Sequence, residues 1–140
     1  MKKIIIILSI IFFGVSTSFA TDPPSVSVSW DADNCSCPSA FIKFKVSVSI
    51  YDNANGVYAV QNVVRYSSSG GSTGLIVEVE DMLDYCHDSH DYTPAFTATA
   101  TVWGILVGDT ECCTGSKAET GDCHDFEADD VFIIANVILN

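Results

Sequence analysis

From Phe41 to Tyr51 the chain alternates with a period of two. Ile42, Phe44, Val46, Val48 and Ile50 take every second position, and Lys43, Lys45, Ser47 and Ser49 fill the gaps. Successive side chains of a strand point to opposite faces, so this run reads as a strand with one buried face. Asn55-Gly56 follows, the dipeptide that most readily supplies the positive-φ pair of a type I′ hairpin turn. A second strand, Val57–Tyr66, then returns with Tyr58, Val60, Val64 and Tyr66 expected on one face. The core of this chain is therefore built from β structure.

The other segments agree. Ser25–Trp30 alternates Val26, Val28 and Trp30 with serines, and Trp30 reads as core. Leu75–Glu80 places Leu75, Val77 and Val79 inward. Ala95–Val107 alternates Phe96, Ala98, Ala100 and Val102 with threonines, and Gly104 marks a bulge that changes the face. Thr114–Thr120 reads as a short edge strand with Lys117 guarding it against edge pairing. Val131–Leu139 is apolar on both faces. Between strands four and five, Asp81–Tyr85 allows one helical turn, and no segment has the periodicity of a longer amphipathic helix. Six to seven strands, the seventh being Thr114–Thr120, with turn signals between them predict an all-β fold, an antiparallel β-sandwich of immunoglobulin-like architecture.

The chain opens Met1-Lys2-Lys3, continues with an apolar run from Ile4 to Val15, and reaches a small-residue site at Ser18-Phe19-Ala20. This is the pattern of a secretory signal peptide cleaved after Ala20. The apolar run is shorter than the ~20 residues that span a bilayer, so membrane insertion is not expected. Residues 21–140 then form one domain, secreted to the periplasm or beyond the cell. They carry 4 cations (Lys43, Lys45, Arg65, Lys117) against 18 carboxylates, a formal charge of −14. Such a chain is repelled by nucleic acid and by anionic lipid.

Six cysteines behind a signal peptide predict three disulfides rather than a zinc cluster. Strand direction sorts them. If consecutive strands alternate in direction, Cys35, Cys37, Cys112 and Cys113 lie at the end where strand one finishes, here the top. Cys86 and Cys123 lie at the bottom. A bond between the adjacent Cys112 and Cys113 is disfavoured by their short Cα separation. The expected bonds are Cys86–Cys123, with Cys35 and Cys37 joined to Cys112 and Cys113.

That pairing brings together the two copies of Cys-His-Asp, Cys86-His87-Asp88 and Cys123-His124-Asp125. His90 and Asp91 follow the first copy, and Asp52, Asp81, Asp84 and Asp122 belong to the same end. Imidazole with carboxylate suits zinc, and carboxylate and carbonyl oxygens suit calcium. The candidate metal ligands are His87, Asp88, His90, Asp91, His124 and Asp125. The competing reading is a solvated acidic face, since no known metal-binding fingerprint is matched. Asp31-Ala32-Asp33-Asn34 starts like a calcium loop but lacks its glycine and distal glutamate.

The chain has no G-x-S-x-G, H-E-x-x-H or P-loop pattern, and paired cysteines leave no thiol nucleophile. A secreted hydrolase is the weakest of the functional readings. Tyr51, Tyr58, Tyr66, Tyr85, Tyr92 and Trp103 could offer a carbohydrate platform or anchors for a protein partner. The last strand reads as a central strand covered on both faces. Its functional alternative is donation to a neighbouring subunit through Val131, Ile133, Val137 and Leu139. The sequence thus favours a secreted, non-catalytic component of a surface, matrix or filament, or a binding module, acting on a protein partner or on copies of itself.

Overall fold

The computed structural model describes residues 23–68, 70–88, 95–126 and 131–140. The expected signal peptide, Met1–Ala20, lies outside them. Seven strands are present among the described residues: β1 Ser25–Asp31, β2 Lys43–Asp52, β3 Val57–Ser67, β4 Leu75–Glu78, β5 Phe96–Ile105, β6 Glu111–Gly121 and β7 Val131–Ile138. One helix, α1 Asp81–Asp88, joins β4 to β5. The strands form two sheets, β4-β1-β7 and β3-β2-β5-β6. Neighbours pair antiparallel throughout except β1 with β7, which run the same way. Direction thus alternates strictly along the chain, from β1 up to β7 up.

One hydrophobic cluster serves both sheets. Val26, Val28, Trp30, Val77, Phe132, Ile134 and Val137 come from the first sheet. Phe44, Val46, Val48, Ile50, Val60, Phe96, Ala98, Ala100 and Val102 come from the second. The period-two reading of β2 holds from Phe44 to Ile50, while Ile42, just before the strand, is 46% exposed. Burying each of these aliphatic side chains contributes roughly 1.5–3 kcal/mol, which makes the core the dominant stabilising term.

Several local features depart from the sequence reading. The β2–β3 turn is not a two-residue type I′ turn. Asp52 pairs directly with Val57, so four residues form the loop, and only Gly56 has positive φ, at 71°. The Asp52 carboxylate organises this longer turn by accepting from backbone amides inside it. β3 does not keep Tyr58, Val60, Val64 and Tyr66 on one face. Its pairing with β2 slips between Val48 and Ile50 and again between Ile50 and Tyr51. Asn62, at φ 52°, sits in the first irregularity, where its amide bonds to Ser49 Oγ at 2.9 Å. Val60 is buried, whereas Tyr58 and Tyr66 face solvent. In β5 the pairing does slip between Gly104 and Ile105.

β6 is an eleven-residue strand that already includes Cys112 and Cys113. α1 runs for two turns rather than one. Asp81 and Asp84 sit in its first turn, where carboxylates complement the helix dipole, and Met82 is fully buried.

β7 is not a central strand covered on both faces. It lies at the edge of its sheet, with Val131, Ile133 and Ile138 exposed and Phe132, Ile134, Val137 and Leu139 buried. A bulge at Asn136, φ 58°, turns the second half of the strand. Past the bulge the chain crosses to β6, where Asn140 and Thr114 exchange backbone hydrogen bonds of 3.1 and 3.3 Å. Gly115 permits this crossing, because a Cβ there would sit on the Ile138 carbonyl. Lys117 closes the remaining gap, donating to Ala135 O at 2.7 Å and pairing with Glu119 at 3.0 Å.

Candidate functional site

Alternating strand direction puts the β2–β3 turn, α1 and the segment after β6 at one end. A disulfide joins Cys86 of α1 to Cys123 there. Two further disulfides, Cys35–Cys113 and Cys37–Cys112, tie the β1–β2 loop to the start of β6 at the other end. Residues 112 and 113 are neighbours in a strand, so their side chains leave on opposite faces. Cys113 is buried and Cys112 half-buried, and the loop carrying Cys35 and Cys37 therefore straddles β6.

Of the candidate metal ligands, His87 and Asp88 belong to the last turn of α1, while His90 and Asp91 lie outside the described residues. His124 and Asp125 sit in a one-turn 3-10 helix, Cys123–Phe126. The carboxylates there are engaged with the backbone. Asp122 Oδ1 accepts from the His124 amide at 2.9 Å, and Asp125 Oδ2 accepts from the Asp122 amide at 2.9 Å. This is a reciprocal capping arrangement, and it explains the Asp-x-x-Asp spacing without a ligand. Among the described residues, three or more potential ligand atoms of His, Cys, Asp or Glu converge only at Cys35, Cys37 and Cys113, whose sulfurs are all in disulfides.

The same end holds a buried carboxylate. Asp52 has no exposed surface. It accepts from Ala54 N at 2.8 Å, Asn55 N at 3.1 Å and Asn55 Nδ2 at 2.7 Å. Burial pushes its pKa up, but the hydrogen bonds from Asn55 and Ala54, with the Tyr85 hydroxyl nearby, outweigh it and hold the carboxyl below its usual range. Tyr85, one of the aromatics considered above as a carbohydrate or protein anchor, is half-buried, with its hydroxyl near Asp52. That buried hydroxyl has no hydrogen-bond partner among the described residues. Burial first, and the carboxylate second, push the phenol up to about 12. The pair marks where α1 meets the hairpin turn. The sequence signal for it was an aspartate closing a strand ahead of a turn rich in asparagine.

The outer face of the four-stranded sheet collects most of the remaining aromatics. Lys45 is in register with both Tyr66 and Trp103. Its ammonium lies 4.2 Å from the centroid of Trp103, and the Lys43 ammonium lies 5.2 Å from that of Tyr66. Glu111 and Asp109 hold the two lysines at 2.9 and 2.7 Å. Further down the face Tyr51 pairs with Tyr58 edge-on, ring centroids 5.2 Å apart. Between these rows lie Ser49, Thr97, Thr99, Thr101 and Ser116, of which Thr101 and Ser116 share a hydrogen bond of 3.1 Å. Tyr58 is 55% exposed and Tyr66 59%. Tyr92 lies outside the described residues.

The strand-donation set is split by the bulge in β7: Val131 and Ile133 face outward, whereas Val137 and Leu139 are fully buried in their own chain. No protein-family model, curated protein or solved structure matches this chain.

Proposed function

We propose that this chain is a secreted, non-catalytic β-sandwich of immunoglobulin-like architecture that works by protein contact, as an assembly component or a binding module. One observation carries the reading: Tyr51, Tyr58, Tyr66 and Trp103 share the outer face of the four-stranded sheet. Tyrosine and tryptophan dominate the energetics of protein interfaces, because they bury large areas with few rotatable bonds. On this face Tyr66 and Trp103 are held by lysines that are themselves paired, and Tyr51 and Tyr58 by each other, which reduces the entropy lost on docking. The three disulfides suit an oxidising compartment outside the cytoplasm.

Light scattering and electron microscopy of residues 21–140, beside the double variant Tyr58→Thr/Tyr66→Thr, test the proposal. Threonine keeps β propensity at both positions, so the variant should fold. The expected result is association in the parent that the variant loses at unchanged melting temperature. Equal association in both proteins refutes a role for this face. Heat on titration with calcium or zinc would instead favour a metal-dependent binder using the His/Asp end.

A further inference from the structure

At the end where β1 finishes, two disulfides lie side by side, Cys35–Cys113 and Cys37–Cys112. The sulfurs of Cys35, Cys37 and Cys113 all lie within 4.8 Å of one another. Cys37 Sγ therefore sits beside a disulfide to which it does not belong. Cys112 stands apart from this group, because its side chain leaves β6 on the face opposite to that of Cys113.

The two bonds differ in their surroundings. Cys37 and Cys112 are both half-buried, and Ser36 and Pro38 on either side of Cys37 are exposed. Cys113 is 6% exposed and belongs to the hydrophobic core, whereas its partner Cys35 is half-buried. Apolar surroundings disfavour a thiolate, and exchange favours departure of the sulfur that is the more stable thiolate. A sulfur attacking Cys35–Cys113 is thus directed to Cys113 Sγ, with Cys35 as the leaving group. In the other bond, Cys37 Sγ is flanked by two further sulfurs, which leaves Cys112 as the less hindered end.

We propose that these four cysteines form a thiol-exchange site, which takes a low-molecular-weight monothiol onto Cys112 and relays a disulfide through Cys37 to Cys113. The incoming thiol loses its proton to solvent and attacks Cys112 Sγ. A mixed disulfide forms there, the Cys37–Cys112 bond breaks, and its electron pair stays on Cys37. The Cys37 thiolate attacks Cys113 Sγ; the Cys35–Cys113 bond breaks, and Cys35 leaves as a thiolate that takes a proton from solvent. One thiol enters and one thiol results, so there is no net oxidation. The β1–β2 loop ends tied to β6 by one bond instead of two. This site does not depend on the reading given to the aromatic face.

The test uses residues 21–140 and two variants, Cys112→Ser, which frees the Cys37 thiol, and Cys37→Ser, which frees that of Cys112. The variants are incubated at about pH 8, near the pKa of a free thiol. Stoichiometric cysteamine is added to the parent, its ammonium being attracted to so acidic a chain. Samples are quenched in acid, thiols are trapped with a maleimide, and each cysteine is located by peptide fragmentation. In Cys112→Ser the label on Cys35 should reach about one tenth of that on Cys37 or more, while in Cys37→Ser it stays on Cys112. In the parent, cysteamine should be found on Cys112 with the free thiol on Cys35. Label confined to Cys37 in a folded Cys112→Ser, equal spreading in Cys37→Ser, or cysteamine absent from Cys112 in the parent would each overturn the proposal. The parent arm decides alone if melting curves show that Cys112→Ser does not fold.

Discussion

Replacing Asp52 isolates the contribution of a single covered charge. In Asp52→Ala the two backbone amides at 2.8 and 3.1 Å and the Asn55 amide at 2.7 Å lose their acceptor. Ala54 and Asn55 are exposed, so water can take over their donors, and the full cost of orphaned groups does not apply. What remains is the net worth of hydrogen bonds to a charged group, roughly 1.5 kcal/mol each at the low end. Counting the two short bonds and neglecting the long one gives about 3 kcal/mol. Asp52→Asn keeps an oxygen toward the backbone amides but sets one NH₂ against another, and should cost about half as much. The pH dependence follows from the lowered pKa. A carboxyl depressed in the fold contributes stability that is complete above its unfolded pKa, near 4, and is lost as pH falls through the folded value. Urea unfolding of the three proteins between pH 7 and pH 2 reads this directly. The parent and Asp52→Asn curves should converge as pH drops below 4. Asp52→Ala within 0.5 kcal/mol of the parent at pH 7, or a parent–Asn gap that persists at pH 2, would refute the argument.

Other features yield their own expectations. Removing the Cys86–Cys123 bond as a double alanine variant opens a loop with a sequence separation of 37. The chain-entropy relation gives about 4 kcal/mol, readable as a lower urea midpoint under non-reducing conditions; a loss below about 1 kcal/mol would mean that Met82 and Phe126 hold that end unaided. Gly115→Ala should cost roughly 3 kcal/mol, because the added methyl meets backbone rather than a side chain that can rotate away. Hydrogen exchange should show faster exchange at Leu139 and Asn140 with the β2–β5 ladder unchanged. Equal protection at Asn140 in both proteins would show that β7 does not rest on β6 through this crossing.

How far the structure can be read from the sequence varies with the physics of each part. Strands β1, β2 and β5 are legible because most of their inward positions are apolar and most of their outward ones are serine, threonine or lysine. β3 misleads because its pattern runs through two irregularities, and each slip exchanges the faces. Asn62 was the available clue, since asparagine tolerates positive φ better than most residues. β7 misleads because isoleucine and valine on its outer face mimic burial, and Asn136 again marks the bend. The grouping of cysteines by end followed from strand direction alone. The choice of Cys35–Cys113 with Cys37–Cys112 over Cys35–Cys112 with Cys37–Cys113 needed the knowledge that residues 112 and 113 lie inside a strand. The Asp52–Tyr85 pair joins segments far apart in the chain, which local patterning does not reveal.

The pairing of β1 with β7 also sets the order in which this chain can mature. Ser25 is in register with Val131, and Asp31 with Ile138. One flank of the first strand therefore stays open until Val131–Ile138 have been made. The ladder β3-β2-β5-β6 needs no such wait, and Cys35–Cys113 and Cys37–Cys112 can close as soon as β6 emerges. Pairings of such long sequence separation form slowly. A stage with these two bonds closed and the β1 flank still open is thus built into the topology, and an open strand edge is where such a stage is prone to mispair.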